Sequence, residues 1–165
     1  MEHDTVVLEG VLADRDSWRA IDCPAGRALD VIGTRTAMMV MREAFYGARR
    51  FDEFTRRLGV TEAIVSTRLR ELTDAGLLEK QPYQEPGQRT RYEYRLTQMG
   101  VDLMPALLAL MQWGSTYLSD RPGGPLAIEH VGCQAPVRVE VRCDAGHEVP
   151  IGEMGFRVNR RRPQA

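Results

Sequence analysis

The stretch from Gly47 to Thr97 decides the fold, and it reads GARRFDEFTRRLGVTEAIVSTRLRELTDAGLLEKQPYQEPGQRTRYEYRLT. Near its start, Phe51, Phe54 and Leu58 recur at the spacing of one apolar stripe on a helix. Gly59 follows directly, and glycine is common at helix ends because it adopts the left-handed conformation without strain. The pattern predicts a short amphipathic helix that ends at Gly59.

A second, longer helix is predicted to begin after Thr61, whose hydroxyl suits an N-cap, and to end at Gly76. Its predicted buried face is formed by Ile64, Val65, Leu69 and Leu72. Its predicted outer face carries Glu62, Ala63, Ser66, Thr67 and Arg70. Short polar side chains and an arginine suit a helix that enters the major groove of DNA, where arginine reads guanine. The two helices together indicate a helix-turn-helix.

Strand-like alternation follows the second helix. It runs through residues 78–82 and 91–96, and residues 85–88 between them have the composition of a tight turn, so a β-hairpin is predicted. Arg89 and Arg91 lie beside its tip, where they can follow the phosphate backbone or enter the minor groove. Helix, turn, helix and hairpin in this order predict a winged helix-turn-helix, which is a mainly helical α+β fold.

Several motifs stand in a fixed order along the chain. They are Cys23-Pro24, Gly47-x-x-Arg50-Phe51-x-x-Phe54, Ser66-x-Arg68-Leu69-x-x-Leu72-x-x-x-Gly76-Leu77, Tyr92-Glu93-Tyr94-x-Leu96-Thr97-x-x-Gly100, Leu103-x-Pro105 and Trp113-Gly114. Over about residues 22 to 118 this order resembles the HxlR family of bacterial winged-helix transcriptional regulators. One departure is Gly33-Thr34-Arg35-Thr36, where the family usually carries a tryptophan after its Gly-x-Lys. The resemblance implies a regulator that binds double-stranded DNA.

The residues predicted to contact DNA lie before the first helix of the motif, on the second helix and on the hairpin. They are Arg50, Thr61, Glu62, Ala63, Ser66, Thr67, Arg68, Arg70, Gln88, Arg89 and Arg91. The formal net charge of the chain is -1, yet residues 49–70 hold six arginines against three carboxylates. A local positive surface is enough to neutralise phosphates, so the overall charge is compatible with DNA as a partner.

After the hairpin, Thr97 is predicted to cap a long helix that reaches about Leu118 and is kinked at Pro105, because proline removes one backbone hydrogen bond. Apolar residues cover more of this helix than packing against one neighbour requires. They are Val101, Leu103, Met104, Leu107, Leu108, Leu110, Met111, Trp113, Tyr117 and Leu118. A second copy of the same helix is the natural partner, which predicts a dimerisation helix and a symmetric homodimer.

An N-terminal arm and two helices are predicted before the motif. The arm covers residues 1–22, and its alternatives are a partly ordered tail, a short strand, or an arm packed on a partner subunit. A helix opens at Cys23-Pro24, because proline is favoured at the first helical position. Its predicted buried face is Ala28, Leu29, Val31 and Ile32. The next helix, from about Thr36 to Phe45, is apolar nearly all round and is predicted to lie at the centre of the domain spanning residues 23–118.

Cys23 is a candidate redox sensor. The positive end of the helix dipole, with Arg27 one turn further on, favours the thiolate, which is the form that oxidants attack. In part of the HxlR family a cysteine in a similar context senses oxidants or electrophiles, so the resemblance implies an unknown small-molecule or redox effector. The alternative is a small capping residue without reactivity.

The last segment, residues 119–165, is predicted to be an extension of the domain. It begins with a linker at residues 121–125 and ends with a basic tail at residues 159–162. Between them, valines at positions 137, 139 and 141 alternate with charged residues, which predicts one short strand of a small β-hairpin.

Two pairs of candidate metal ligands flank this strand. His130 and Cys133 precede it, Cys143 and His147 follow it, and two histidines with two cysteines have the ligand count and types of a structural zinc site. Some HxlR members carry a similar H-x-x-C and C-x-x-C pair, and here Gly146 stands in place of the last cysteine. The alternative is a hairpin that keeps remnants of a lost metal site.

Other classes of protein are less well supported. No apolar run approaches a membrane span, and the acidic first residues do not resemble a signal peptide. Three cysteines without an export signal favour a reducing cytoplasm. Neither a carboxylate pair with a companion histidine nor a phosphate-binding glycine loop is present, so an enzyme is not predicted. The remaining alternative is a winged-helix protein-interaction module without DNA binding.

Overall fold

The computed structural model describes residues 5–16, 23–121 and 123–158. In chain order its helices and strands are β1 (Val7–Leu8), α1 (Pro24–Ile32), α2 (Arg35–Phe45), α3 (Phe51–Leu58), α4 (Glu62–Asp74), β2 (Leu78–Tyr83), β3 (Arg91–Leu96), α5 (Gln98–Asp102), α6 (Met104–Tyr117) and β4 (Gly155–Phe156). The described residues between 24 and 139 form one compact unit, and those between 5 and 23 together with those between 140 and 158 form another. The domain boundaries at residues 22 and 118 stay predictions from the sequence.

The hydrophobic core of the larger unit lies between α2, α3, α4 and the β2–β3 hairpin. Val40 and Met41 of α2, Phe54 of α3 and Leu69 of α4 are completely buried in it. The central position predicted for α2 is confirmed, since α2 contacts α1, α3, α4, β3 and α6. The prediction of a mainly helical α+β fold with a winged helix-turn-helix is confirmed.

Local capping fixes the ends of the two motif helices. Gly59 ends α3 with a φ of 63°, and Gly76 follows α4 with a φ of 82°, a region that side chains other than glycine rarely adopt. Thr61 caps α4, with its hydroxyl accepting a hydrogen bond from the backbone N–H of Ile64. The predicted bounds of both helices are therefore confirmed.

The hairpin pairs β2 with β3 in antiparallel register from Leu78 opposite Leu96 to Tyr83 opposite Arg91. Its turn is closed by a hydrogen bond of 3.0 Å from the Gln88 N–H to the Glu85 carbonyl. The predicted wing is confirmed.

One long helix, kinked at Pro105, was predicted from Thr97 to about Leu118, and the structure has two helices there, α5 and α6. Thr97 caps α5 as expected, with its hydroxyl accepting from the Gly100 N–H at 3.1 Å. The break falls at Leu103, which ends α5 and begins α6, and this places Pro105 in the first turn of α6. Proline is tolerated there because the first N–H groups of a helix have no partner within the helix.

The apolar face predicted to be buried on α1 is largely exposed. Leu29 is 63% exposed and Val31 is 37% exposed, and Ile32 alone among the predicted four packs partly against the core. The amphipathic pattern correctly predicted the helix, but the described residues of the chain leave most of this face exposed.

The strand predicted for the valines at positions 137 and 139 does not form. The side-chain amide of Gln112 on α6 forms two hydrogen bonds with the backbone of this segment. Its Nε2 donates to the Val137 carbonyl and its Oε1 accepts from the Val139 N–H, both at 2.9 Å. These two backbone groups therefore do not take part in a ladder. A tight hairpin-like turn is closed instead between Val137 and Ile128.

In the smaller unit, β1 and β4 pair in parallel, with Val7 opposite Gly155. The short strand considered for the N-terminal arm is therefore present, although its partner is the same chain. A second hairpin-like turn joins Val141 to Val149 and carries Cys143. The predicted basic tail at residues 159–162 lies outside the described residues.

Candidate nucleic-acid interface

Helix α4 has one buried face and one exposed face. Val65, Leu69 and Leu72 are completely buried, which turns the opposite side of the helix to solvent. The exposed members of the predicted DNA-contacting set on this helix and at its cap are Thr61, Glu62, Ala63, Ser66 and Arg70. Ile64 was predicted to be buried and is 42% exposed, because it lies one position before Val65, at the edge of the buried stripe.

Arg68 and Thr67 are placed less favourably for DNA. Both are half-buried. The guanidinium of Arg68 pairs with Glu71 on the same helix, and its Nε is buried without a hydrogen-bond partner among the described residues. The geometry therefore turns Arg68 along α4, whereas no described carboxylate pairs with Arg70.

The N-terminus of α3 is attached to the wing by the backbone. The Tyr94 N–H donates to the Arg49 carbonyl at 2.7 Å, and Arg50 forms a bridge with Glu93. Because Glu93 also pairs with Gln81 of β2, Arg50 lies on the other edge of β3, where it forms a single bridge. Periodicity could not predict this bridge, because a single bridge has no repeat. The attachment brings Arg50, the first predicted phosphate contact, next to the wing.

Glu53 holds this junction through charge-assisted hydrogen bonds. Its Oε2 accepts from the backbone N–H of Arg49 at 2.8 Å and of Arg50 at 3.0 Å. These two hydrogen bonds, that from Arg49 first, lower the pKa of Glu53. Arg57 lies 3.9 Å away on the next turn and acts in the same direction.

Glu53→Gln is expected to lower the free energy of unfolding at pH 7 by about 1 kcal/mol, because a neutral amide caps the helix less strongly. Since the pKa of Glu53 is lowered, its contribution is complete above the pKa of an unfolded glutamate, about 4.3, and disappears as the pH falls through the folded-state pKa. Urea unfolding of both proteins at pH 7 and at stepwise lower pH should give converging stabilities. Glu129→Gln, at an exposed glutamate, is the control; a difference for Glu53→Gln that stays constant into acid would contradict the role of its charge.

The predicted wing contacts lie at and beside the turn. Gln88 closes the turn through its backbone, and Arg89 and Arg91 are exposed. Arg50 reaches the same end of the wing, with its guanidinium 3.0 Å from Glu85 and 4.7 Å from the centre of the Tyr83 ring. Neither Arg89 nor Arg91 forms an ion pair within the described part of the chain, so both are available to an anionic partner.

Comparison with known proteins identifies the family. A family model described as HxlR-like helix-turn-helix matches residues 31–122. The chain belongs to the HxlR-like family. The resemblance read from its motifs is confirmed, and the chain is a transcriptional regulator of the helix-turn-helix type.

Individual relatives agree with this assignment. An uncharacterized HTH-type transcriptional regulator of Mycobacterium tuberculosis is 44% identical over 108 residues, which cover 66% of this chain and 67% of the relative. The solved structure of PA1607, described as a candidate transcription factor, has a TM-score of 0.74 at 34% identity and covers 86% of this chain and 96% of its own. The redox regulator HypR in its reduced form has a TM-score of 0.52 at 30% identity and covers 57% of this chain and 92% of its own.

The redox candidate of this HxlR-like chain, Cys23, directly precedes α1 and is half-buried. Pro24 is the first residue of that helix, as predicted. The structure shows only the position of Cys23 before the helix. The reactivity of its thiol stays a prediction.

The four candidate metal ligands are split between the two compact units. In the larger unit, His130 Nδ1 lies 3.2 Å from Cys133 Sγ. In the smaller unit, Cys143 and His147 are joined by a backbone hydrogen bond of 3.0 Å across a turn. Among the described residues, no group of three or more histidine, cysteine or acidic side chains is arranged to hold a metal ion. The zinc site stays a prediction.

Cys143 has a feature that its spacing did not reveal. Hydrogen bonds from backbone N–H groups, that of His147 first and that of Ala145 next, lower the pKa of its thiol. Cys143 is exposed, as is Cys133, so its thiol is accessible to an oxidant.

No helix within the described ranges has the length and apolar character needed to cross a membrane.

Proposed function

We propose that this HxlR-like regulator binds double-stranded DNA in the cytoplasm as a homodimer and represses transcription from an inverted-repeat operator. The observation that carries the proposal is that an exposed face of α4 and a basic wing occur side by side, since α4 packs against β2 within the larger unit. Helix α4 enters the major groove with Ser66 and Arg70, and the wing lies on the phosphate backbone with Arg89 and Arg91.

Exposed apolar side chains support the homodimer. On α6, Leu110 is 57% exposed, Trp113 is 55% exposed and Tyr117 is 70% exposed. Apolar side chains so placed on one helix usually mark an interaction surface. A second copy of the chain is the occupant that gives two α4 helices related by a two-fold axis, and hence two half-sites about one helical turn apart, roughly 34 Å.

Arg70→Ala is expected to weaken binding to the preferred operator by about 1 to 3 kcal/mol and to relax the preference at one position in each half-site, because arginine pairs with a guanine edge. The operator is first obtained by sequencing DNA fragments selected by the purified protein, and affinity is then measured by gel shift. Arg138→Ala, at an exposed arginine outside the proposed interface, is the matched control.

The wing variant Arg89→Ala should behave differently from Arg70→Ala. It should weaken binding to all DNA sequences alike. It should also reduce the slope of log affinity against log salt concentration by about one for each subunit. If Arg89→Ala changed the preferred sequence and Arg70→Ala did not, the wing would be the reading element. A protein without affinity for any DNA fragment would instead favour a protein-interaction module.

We further propose that oxidants or electrophiles regulate the protein through Cys23. Its place at the N-terminus of α1 supports this, and so does similarity to HypR, which is named a redox regulator and is solved in reduced and oxidised forms. Mild peroxide or a quinone should weaken operator binding by the wild type, whereas Cys23→Ala should bind and not respond. An equal response in Cys23→Ala would implicate Cys133 or Cys143, and the single variants at those positions would separate them.

A structural zinc ion held by His130, Cys133, Cys143 and His147 is proposed from their ligand types alone, because two histidines and two cysteines suit a structural zinc site.

A further inference from the structure

An open pocket of about 430 Å³ lies between the wing and the N-terminus of α3, within the larger unit. Its walls include three tyrosines and three cations: Tyr83, Tyr92, Tyr94, Arg50, Lys80 and Arg91. This volume lies within the range of small-molecule sites, which is roughly 300 to 1,000 Å³. The pocket therefore has room for a ligand that contains an aromatic ring.

Two of the cations are held against the tyrosine rings. Lys80 Nζ lies 4.6 Å from the centre of the Tyr92 ring and 6.0 Å from that of Tyr94. The guanidinium of Arg50 lies 4.7 Å from the centre of the Tyr83 ring. Cation–π attraction fixes these side chains before a ligand arrives, which reduces the ordering cost of binding.

The charge of the pocket selects an anion. Asp52 is the one carboxylate among the described residues that line it, against the three cations. Arg50 already has a partner in Glu85 outside the pocket, whereas Lys80 and Arg91 have no ion-pair partner among the described residues. An anionic group next to Lys80 and Arg91 would therefore gain attraction without breaking an existing ion pair.

From this geometry we infer that the pocket binds a small planar aromatic carboxylate. The carboxylate pairs with Lys80 and Arg91, and the aromatic ring packs against the tyrosines, of which Tyr92 is 50% exposed and so accessible to it. A phosphate group of DNA gains less from this pocket than an aromatic carboxylate does, because the tyrosine walls offer it nothing to pack against.

The regulatory consequence rests on the proposed function. Arg91 belongs both to the pocket and to the proposed phosphate contacts, so a bound carboxylate competes with the DNA backbone for it. Since each ligand excludes the other from this cation, the aromatic carboxylate should weaken binding to the operator.

The binding experiment uses the full-length protein without DNA. The probe is 4-fluorobenzoate, followed by the fluorine NMR signal, with neutral 4-fluorobenzamide and inorganic phosphate as comparison ligands. We expect saturable binding of the carboxylate, at least about tenfold weaker binding of the amide, and incomplete displacement by an equal concentration of phosphate. Equal binding of carboxylate and amide, full displacement by phosphate, or absence of saturation up to about 10 mM would each overturn the inference.

Variants locate the site. Lys80→Met keeps the length of the side chain and removes its charge, and Tyr92→Leu removes an aromatic wall. Each variant should weaken the binding of 4-fluorobenzoate at least about fivefold. Arg70→Ala, outside the pocket, should leave ligand affinity unchanged. If the Lys80 and Tyr92 variants keep wild-type ligand affinity, the site lies elsewhere and the inference fails.

A gel shift with added ligand then tests the competition. In the wild type, 4-fluorobenzoate should reduce operator binding, and in Lys80→Met the same concentration should have a smaller effect. The two proposals fail separately, because ligand binding is measured without DNA and operator binding without ligand. Normal operator binding that saturating ligand does not change would refute the competition alone.

Discussion

Phe54→Ala is expected to lower the free energy of unfolding by about 3 to 5 kcal/mol, because it deletes a completely buried ring and leaves a cavity. Phe54 lies where α3 meets the core, and its ring stands edge to face with that of Tyr94 at a centroid distance of 6.3 Å. The substitution therefore removes contacts within the motif and between the motif and the wing. Urea unfolding followed by circular dichroism measures the loss.

Two control variants separate the contributions. Phe54→Leu keeps most of the apolar volume and should cost less than Phe54→Ala. Tyr94→Phe keeps both rings, so it should leave the edge-to-face contact intact and cost little. A loss below about 1 kcal/mol for Phe54→Ala would mean that the core collapses around the missing ring, and the packing of α3 against the wing would then be less specific than the structure indicates.

The motif could be predicted from the sequence because its determinants are local. Thr61 caps α4 by bonding an N–H three residues away, and Gly76 supplies the left-handed residue that follows the helix. The wing is equally local, since its turn fixes the register of the two strands. Such interactions act between residues close in the sequence, and periodicity records them directly.

Errors arose where an apolar face was assigned a partner within the same chain. The pattern on α1 correctly predicted an amphipathic helix, yet Leu29 is 63% exposed. Periodicity shows which side of a helix is apolar, but it does not show what covers that side. Pro105 is a related case, because the missing N–H can be accommodated either by a kink or by starting a new helix, and the structure shows the second.

Contacts between residues distant in the chain could not be predicted from the sequence. The bridge of Arg50 with Glu93, and the bonds of Gln112 to the backbone near Val137, depend on how separate elements pack. The aromatic pocket is a further example, since the residues that line it come from α3 and both strands of the wing. The charge and the tyrosines were visible in the sequence, but their convergence was not.

Leu107 and Leu110 show why the dimer needs a structural test. Both belong to the apolar excess of α6, so the sequence alone does not distinguish them. Leu107 is 3% exposed, so a charge there would destabilise the single chain. Leu110 is 57% exposed, so a single chain tolerates a charge at this position while an interface does not. Leu110 is therefore the informative position.

Leu110→Glu is expected to convert the proposed dimer into folded monomers. Association would bury two unpaired carboxylates, one from each copy, and uncompensated buried charge costs several kcal/mol, or more than about a hundredfold in the dissociation constant. Sedimentation velocity measures the mass, and circular dichroism checks that the monomer is folded. Operator affinity should fall by a similar factor or more, because the two α4 helices no longer bind as one unit.

The matched control is Val131→Glu, which makes a similar apolar-to-acidic change at a loop residue that is 97% exposed. It should leave both mass and operator affinity unchanged. Leu110→Ala removes apolar surface without adding charge and should give an intermediate dissociation constant, because only the contact area is lost.

Trp113, whose ring lies 5.8 Å from that of Tyr117 on the same exposed side, gives an independent signal. With Trp18 replaced by phenylalanine, the fluorescence of Trp113 should shift to the red in Leu110→Glu as the indole becomes hydrated. A wild type that sediments as a monomer at micromolar concentration would contradict the homodimer, and the exposed side of α6 would then belong to a different partner.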